Sequence, residues 1–466
     1  MRRRVSLLAG AVVVAGTAAM IGRGAGVDRD AAPTAEIAGT ALAPGESSGA
    51  TPEEVAAFQA LADQPSAAPS PTAAAKPIGT PIETPVAEAA LAKLGVDLDT
   101  IERVGDHYEA RLGPSAGGKR AVLTLDPELQ PLAEKLLDQS RAPRGAIVVM
   151  APDGRILALA GRRTEEPKGA VKGTFDWRLA TDAWAPAASV FKLVTATALV
   201  GAGASGETEV CYHGGLRSVT QSNLEDSKQD NRCESLAYGV AHSNNAILGK
   251  LAYQKLQPPA LETAARSLGL YDALPGADLP GTAAVLSLPT AHDLDFARTA
   301  AGFMNVKLSV AGGALLAATF ADRGEQPALR IVASIDGQVV AAPAAKRAIS
   351  ADAADEVAKM MVGTCDSGSA AKSFGRRESQ VRVAGKTGTL ARTEPFYMEH
   401  SWFVGFAPAD KPEVIVSVLF GNPESWHLRG HEAARKLIDK ALKLAKTRGK
   451  DRTASIGKVR GRDVVE

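Results

Sequence analysis

Apolar and polar residues are distributed unevenly along the chain, and the first contrast stands at its start. An uncharged, mostly apolar run at positions 5–22 follows the arginines at positions 2–4. A membrane-spanning helix needs roughly 17 to 25 such residues, and arginines before it place its start in the cytoplasm. We therefore predict a signal anchor in residues 1–23, while the small residues at 17–19 leave a cleaved signal peptide as the alternative. Either segment exports the rest of the chain.

The next stretch lacks the apolar pattern of a folded domain. Residues 24–85 are rich in Ala, Pro, Ser, Thr and Gly, a composition that buries too little apolar surface to offset the entropy of the chain. We predict a flexible linker there. The following segment, 86–118, has a pattern for a short helix and one or two strands, but it is too short for a core of its own. We interpret it as a small membrane-proximal segment.

The periodic patterns of a compact domain extend over residues 119–447. AVLTLD predicts an early strand before a helix, and GAIVVMAPDGRILALAG predicts two strands joined by a PDG turn. Helical periodicity dominates from 189 to 319, and strands return in KTGTL, SWFVGFAP and EVIVSVLF before a final helix. This order predicts one α/β domain whose sheet combines strands from both ends of the chain. The basic tail, 448–466, is predicted to be disordered, with a contact to anionic lipid as a lesser alternative.

Composition and charge limit the classes of partner, and the cysteines bear on the cellular compartment. Hydrophobic residues make up 45% and charged residues 23%, as in a soluble globular protein, and the net charge of +1 gives no electrostatic case for a nucleic-acid partner. Because an exported chain meets oxidising surroundings, we predict a disulfide between Cys211 and Cys233, with two unpaired buried thiols as the alternative. Cys365 is expected to be buried and unreactive.

One charged residue stands inside a strongly apolar helical pattern: Lys192, in the run ASVFKLVTATALV. A helix places residues i and i+3 on neighbouring positions, so Lys192 can reach the hydroxyl of Ser189. Burial lowers the pKa of an amine, and a neutral amine can take the proton of a serine hydroxyl and make it a nucleophile. A helix-capping serine followed by a lysine that extends to solvent has the same short pattern. This pair alone therefore does not distinguish a catalytic site from a helix cap.

A serine motif further along supplies polar groups suited to the same chemistry. SNN, at positions 243–245, lies just before another apolar helical pattern. There Ser243 can relay a proton and Asn245 can hold a substrate amide. A plain helix cap at Ser243 is the alternative interpretation.

A third motif, KTGT at positions 386–389, lies between candidate strands. Lys386 and Thr387 offer a cation and a hydroxyl to a carboxylate, and Gly388 lets an extended peptide approach the backbone closely. A turn without a functional role is the alternative. The three motifs in one chain and in this order favour a serine acyl-transfer site.

SVFK, SNN and KTGT resemble the motifs of the penicillin-binding transpeptidases and the serine β-lactamases. The long interval from Ser243 to Lys386 is more similar to the class B penicillin-binding proteins than to the β-lactamases. LTLDPELQ with its following hairpin, and GKTGTL with SWFVGFAP, also resemble the opening and closing parts of that transpeptidase domain. The resemblance covers about 119–447. It implies an α/β (α+β) fold, with an antiparallel sheet flanked by helices and an all-helical subdomain.

The resemblance also implies a reaction, the cross-linking of peptidoglycan stem peptides by a D,D-transpeptidase. The implied catalytic residues are Ser189, Lys192, Ser243, Asn245 and Lys386, and the implied substrate-binding residues are Thr387, Gly388 and Thr389. Ser189 attacks the penultimate D-alanyl carbonyl and Lys192 is its base, while the N–H groups of Ser189 and Thr389 form the oxyanion hole.

Partners and location follow from the same resemblance. The expected substrates are stem peptides that end in D-Ala-D-Ala, and β-lactams are expected to acylate the same serine. A membrane glycosyltransferase is a possible partner of a chain that crosses the cytoplasmic membrane once and exposes its catalytic domain on the periplasmic, extracytoplasmic side. No cofactor is expected.

Other functions share parts of this pattern. A D,D-carboxypeptidase keeps all three motifs, and a catalytically silent scaffold of the wall-synthesis machinery is a further alternative. A class A β-lactamase needs a glutamate in an E-x-x-L-N context, which the segment around Glu262 lacks. The histidines at 427 and 431 lack the glutamate of a zinc-protease motif, so no metal site is predicted.

Overall fold

A computed structural model describes residues 93–164, 174–216, 218–276, 278–375, 381–393 and 397–460, except for the side chains of 174, 175 and 449–460. The predicted signal segment, 1–23, and the predicted linker, 24–85, lie outside these residues. Within the described ranges, no helix is both long and apolar enough to cross a membrane.

Strands and helices follow one another from Val96 onward. The strands are β1 (Val96–Val104), β2 (His107–Leu112), β3 (Arg120–Leu123), β4 (Arg144–Met150), β5 (Ile156–Arg163), β6 (Thr174–Phe175), β7 (Ala185–Pro186), β8 (Glu209–Tyr212), β9 (Arg232–Ser235), β10 (Ala284–Leu286), β11 (Val306–Leu308), β12 (Glu325–Gln326), β13 (Val332–Ile335), β14 (Gln338–Val339), β15 (Lys346–Arg347), β16 (Ala384–Arg392), β17 (Met398–Ala407) and β18 (Val414–Asn422). The helices are α1 (Leu129–Ser140), α2 (Arg178–Thr181), α3 (Lys192–Gly201), α4 (Leu236–Ala241), α5 (Asn245–Lys255), α6 (Pro258–Ser267), α7 (Leu294–Ala300), α8 (Val310–Ala321), α9 (Ala351–Asp366), α10 (Ala371–Phe374) and α11 (Gly430–Arg460).

The largest sheet is antiparallel throughout and has the strand order β16-β17-β18-β4-β5-β6. Its centre joins the two ends of the domain, since β18 pairs with β4 and places Val418 opposite Ile147. This confirms the prediction of a sheet built from both ends of the chain. β16 stands at an edge, and β17 is its one neighbour among the described strands.

Apolar residues fill both faces of this sheet. β18 is buried along its whole length, as expected for a strand covered on both faces. On one face lies α8, whose residues are apolar almost all round. As expected for such a helix, it is buried at every position except its last. On the other face lie α1 and α11, whose amphipathic patterns turn side chains such as Leu137 and Leu437 inward.

The segment predicted to be small and membrane-proximal supplies β1 and β2 to a second antiparallel sheet, of order β1-β2-β3-β13-β14. Its buried residues include Leu98, Tyr108 and Ala110, and they belong to the same apolar cluster as residues of the largest sheet. A segment too short for a core of its own thus packs on the core of the domain.

The end of the last helix corrects one expectation. α11 continues to Arg460, so the backbone is helical through residues 448–460, where the sequence predicts a disordered tail. The buried first half of the helix, with Leu437 and Ile438, provides its nucleus, and the helix continues through Arg and Lys residues despite Gly449 and Gly457. The polar composition of this segment does not by itself distinguish a helix from disorder.

Candidate active site

Ser189 lies in a single 3₁₀ turn, Ala188–Phe191, that leads directly into α3 at Lys192. The sequence pattern predicts an α-helix here, and the tighter turn precedes it instead. In a 3₁₀ turn the side chains of residues i and i+3 eclipse one another, and Lys192 Nζ lies 2.7 Å from Ser189 Oγ. Ala188 has a φ of 50°, a left-handed conformation that is unfavourable for a residue with a side chain and that is often found at functional sites.

Lys192 is completely buried, and its amine contacts three oxygen atoms. Besides Ser189 Oγ, Nζ lies 2.6 Å from Asn245 Oδ1 and 2.6 Å from the backbone oxygen of Ala301. Because a carbonyl oxygen only accepts hydrogen bonds, these two oxygens use both N–H groups of a neutral amine and leave its lone pair facing Ser189. Burial, followed by the charge of Lys386, lowers the pKa of Lys192 well below its ordinary value. Geometry and pKa both suit a general base.

The SNN motif forms the turn between α4 and α5. Asn244 caps α5, because its Oδ1 accepts a hydrogen bond from the backbone N–H of Ile247. Ser243 has a φ of 56°, and its hydroxyl accepts a hydrogen bond from Lys386 Nζ at 2.9 Å. The interpretation of Ser243 as a helix cap is therefore wrong, and its hydroxyl contacts Lys386 of the third motif instead.

KTGT belongs to the edge strand β16, so its interpretation as a turn is also wrong. Lys386 is completely buried, and Nζ donates to Ser243 Oγ and, at 2.9 Å, to the backbone oxygen of Thr387. Burial lowers the pKa of Lys386 to about 7. A carboxylate beside this amine would favour its charged form. Lys386 thus connects the second motif with the third and suits an anionic end of a substrate.

Gly388 and Thr389 continue the motif along the edge of the sheet. A Cβ atom on Gly388 would lie 3.3 Å from Ala188 Cβ and 3.3 Å from Val190 Cγ2. The missing side chain therefore lets β16 lie against the turn that carries Ser189; the room that Gly388 leaves for a peptide stays a prediction. Thr389 is exposed, at an edge that pairs with no further described strand.

The sequence of this chain matches a known protein family and several of its characterised members. The model of the penicillin-binding protein transpeptidase domain matches residues 145–443. The chain belongs to the penicillin-binding protein transpeptidase family. Among the relatives of this transpeptidase-family chain is the peptidoglycan D,D-transpeptidase PbpA of Mycobacterium tuberculosis, 26% identical over 359 residues that cover 69% of this chain and 70% of PbpA.

Solved structures of penicillin-binding proteins have the same fold. The D,D-transpeptidase domain of a peptidoglycan glycosyltransferase from Eggerthella lenta superposes with a TM-score of 0.56 at 26% identity, over 70% of this chain and 84% of that chain. Penicillin-binding protein A of M. tuberculosis was solved as an imipenem acyl-enzyme complex. It superposes with a TM-score of 0.55 at 24% identity, over 70% of this chain and 80% of that chain. The predicted transpeptidase fold, an antiparallel sheet flanked by helices, is confirmed.

Ser369 contacts the third motif, and the sequence patterns did not identify it. It follows α9, and its Oγ lies 2.5 Å from Thr387 Oγ1, while its backbone N–H donates to the oxygen of Ala241. The two hydroxyls form a pair beside Lys386 in the sequence of β16. The segment SGS at 367–369 has no spacing that relates it to SVFK, so only the fold brings it to β16.

Two of the three cysteines are joined to each other. A disulfide connects Cys211 on β8 with Cys233 on β9. Glu209 lies close to both sulfur atoms, but sulfurs that are bonded to each other do not offer the thiolates that a metal site requires. Cys365 on α9 is buried, and burial raises the pKa of its thiol, which leaves it a poor nucleophile at neutral pH.

Proposed function

We propose that this chain is a peptidoglycan D,D-transpeptidase, which cross-links stem peptides through a serine acyl-enzyme. The observation that carries the proposal is the setting of Lys192. Two carbonyl oxygens accept its N–H groups, and the remaining position of the amine faces Ser189 Oγ at 2.7 Å. Membership of the transpeptidase family and the D,D-transpeptidases among its relatives support the same reaction.

Acylation begins when Ser189 Oγ attacks the carbonyl carbon of the penultimate D-alanine. Lys192 takes the hydroxyl proton and becomes an ammonium, while the carbonyl electrons move to the substrate oxygen. The N–H groups of Ser189 and Thr389 are the proposed donors to this oxyanion, and such preorganised donors usually contribute most to acyl transfer. Among the described residues, no backbone oxygen accepts a hydrogen bond from the Ser189 N–H, which keeps that donor available.

The tetrahedral adduct collapses when the C–N bond to the terminal D-alanine breaks. The leaving nitrogen needs a proton, which passes from Lys192 by way of the Ser243 hydroxyl. Lys386 donates to Ser243 Oγ at 2.9 Å and so orients this relay. Asn245 is the proposed contact of the substrate amide, next to the base that it already binds.

A second stem peptide completes the reaction. Its amine nitrogen attacks the ester carbonyl and loses a proton to the site, the ester C–O bond breaks, and Ser189 recovers its hydroxyl. The new amide bond is the cross-link. A β-lactam follows only the first half of this path, because its amine stays attached to the adduct after the ring opens and the acyl-enzyme persists.

The edge of β16 supports a peptide substrate. A strand with one unpaired edge can take an extended peptide as an added strand through its backbone N–H and C=O groups. Lys386 and Thr387 are proposed to bind the terminal carboxylate, with Gly388 leaving room along the strand. The hydroxyl pair of Ser369 and Thr387 adds polar groups at the same end.

A location and a partner are part of the proposal. A signal anchor in residues 1–23 and the linker 24–85 would hold the domain 119–447 outside the cytoplasmic membrane, with 86–118 nearest to it. The apolar run and its preceding arginines support this topology. The proposed partner is a membrane glycosyltransferase, because cross-linking requires glycan strands that another activity polymerises.

Labelling and transfer assays on the full chain test the proposal. A fluorescent penicillin is expected to label the wild type and not the Ser189→Ala variant. With a stem-peptide thioester donor and a D-amino acid acceptor, we expect the transfer product, whereas hydrolysed donor alone would indicate a D,D-carboxypeptidase. Loss of the adduct within minutes would indicate a β-lactamase. If folded wild type is not labelled at all, the catalytically silent scaffold is the remaining alternative, and the proposal is overturned.

A further inference from the structure

The side-chain amide of Asn245 is held at both ends. Its Oδ1 accepts a hydrogen bond from Lys192, and its Nδ2 donates to the backbone oxygen of Leu216 at 2.6 Å. The amide presents its oxygen to Lys192 as long as the carbonyl of Leu216 stays in place. Whatever fixes the position of the Leu216 carbonyl therefore also fixes the orientation of the Asn245 amide and, through it, of the Lys192 amine.

Leu216 ends a short strap, residues 213–216, that follows β8. The strap lies directly on the first turn of α5, because a Cβ atom on Gly215 would be only 2.7 Å from Ala246 Cβ. Gly215 also has a φ of 66°, which a residue without a side chain adopts at little cost. The side chain of Leu216 is mostly exposed, so its burial does not anchor the strap.

A cluster of His213, Asp230 and the buried Lys250 supplies a side-chain anchor for the strap. His213 Nδ1 donates to Asp230 Oδ1 at 2.6 Å, and the other carboxylate oxygen accepts from Lys250 Nζ at 2.7 Å. Lys250 is completely buried and also donates to the backbone oxygen of Cys211 at 2.9 Å. Since Lys250 lies on α5, the helix that begins at Asn245, the cluster ties the strap to that helix.

The charges of the cluster favour a single arrangement. Burial alone would raise the pKa of Asp230, but hydrogen bonds from His213, Lys250 and the Ser227 N–H outweigh this effect and lower it to about 2. The carboxylate is therefore ionised across the ordinary pH range. A buried ion pair is stable only while its hydrogen-bonding geometry is kept, which makes the cluster a rigid attachment point.

We propose that His213, Asp230 and Lys250 are positioning residues for acylation. They hold the strap so that the carbonyl of Leu216 fixes the amide of Asn245, and this amide aims the lone pair of Lys192 at Ser189. The inference rests on the proposed function, because it concerns the rate of the same acylation step.

The test measures acylation of the full chain by a fluorescent penicillin, with the acylation rate constant (k2) separated from the dissociation constant of the non-covalent complex (Ks). His213→Ala removes the side-chain tie to the strap, leaving the bond from Asn223 Nδ2 to the His213 backbone oxygen and the pairing of Asp230 with Lys250. We expect k2 to fall about 10- to 100-fold, as misplaced catalytic groups do, with Ks within about threefold. His213→Asn keeps an N–H donor and is expected to recover most of the lost k2.

Asp226→Asn is the matched control. Asp226 lies 3.0 Å from the same Lys250 Nζ, but its side chain is 88% exposed, so k2 is expected to stay within about twofold of the wild type. An equal loss of k2 in this variant would show that charge near Lys250, and not the strap, matters, and it would overturn the inference.

A cycle with Asn245→Ala separates positioning from a general structural effect. If the cluster acts through Asn245, His213→Ala has little further effect on k2 once Asn245 is replaced. An unchanged k2 in His213→Ala, or the same fold loss in both backgrounds, contradicts the inference. Should His213→Ala not fold, His213→Phe, which keeps the ring volume without the N–H, is measured in both backgrounds. A wild type that no penicillin acylates would overturn the proposed function instead.

Discussion

If Lys386 binds the carboxylate as proposed, its burial is expected to make the affinity for carboxylate-bearing β-lactams depend on pH. Burial lowers the pKa of this lysine from its ordinary value of 10.5 to about 7. Below that pKa the amine is charged, and above it the substrate carboxylate loses its counter-charge. Raising the pH from about 6 to about 8 takes the charged fraction in the free protein from roughly nine tenths to roughly one tenth.

The loss of charge is expected to raise Ks about tenfold over these two pH units. A lysine with its ordinary pKa would stay charged throughout and give no change. The rate constant k2 depends on Lys192 instead, whose pKa is lowered well below its ordinary value by burial. Because the base must be neutral, k2 falls as the pH drops through that lowered pKa, and k2/Ks is expected to be bell-shaped.

Stopped-flow acylation by a fluorescent penicillin, at several concentrations and pH values, separates Ks from k2. The matched control is the methyl ester of the same penicillin, which lacks the carboxylate and should bind with a Ks independent of pH. A constant Ks for the free acid between about pH 6 and 8, or an equal rise for the ester, would refute the assignment of Lys386 as the partner of the carboxylate.

Three further predictions follow from named contacts. Lys192→Met keeps the buried volume but removes the base, so intact-mass time courses should show acylation slowed about 10²- to 10⁴-fold; a normal rate would remove Lys192 from the mechanism. Ser369→Ala deletes the hydroxyl partner of Thr387 and should raise Ks about fivefold, the equivalent of about 1 kcal/mol, with k2 unchanged; a fall in k2 alone would contradict a role in binding. Alkylation of unfolded, unreduced protein should modify Cys365 alone, and three modified thiols would contradict the disulfide.

The sequence predicts best the contacts that depend on short separations. Ser189 and Lys192 are three residues apart, so any helical turn brings them together, and only the type of turn differed from the prediction. Lys386 and Ser243 are far apart in sequence, and the resemblance of three motifs in order placed both in one site without predicting the hydrogen bond between them. The central sheet was predictable because its strands have clear apolar runs at both ends of the domain.

Other parts of the site leave no trace in the sequence. The second carbonyl that accepts from Lys192 is the backbone oxygen of Ala301, a group that every residue type provides. Ser369 and the strap at 213–216 reach the site through tertiary packing, and their residue types are common in loops. The pairing of Lys250 with Asp230 is equally invisible, since a lysine in a helical pattern is usually exposed.

Mapping of the acyl adduct tests the central claim most directly. Full-length protein is incubated with benzylpenicillin, weighed intact and digested, and the modified peptide is sequenced. We expect one stable adduct per chain, located on Ser189, and none in Ser189→Ala. Folded wild-type protein that gains no adduct, or gains it on another residue, would contradict the assignment of Ser189 as the nucleophile that Lys192 activates.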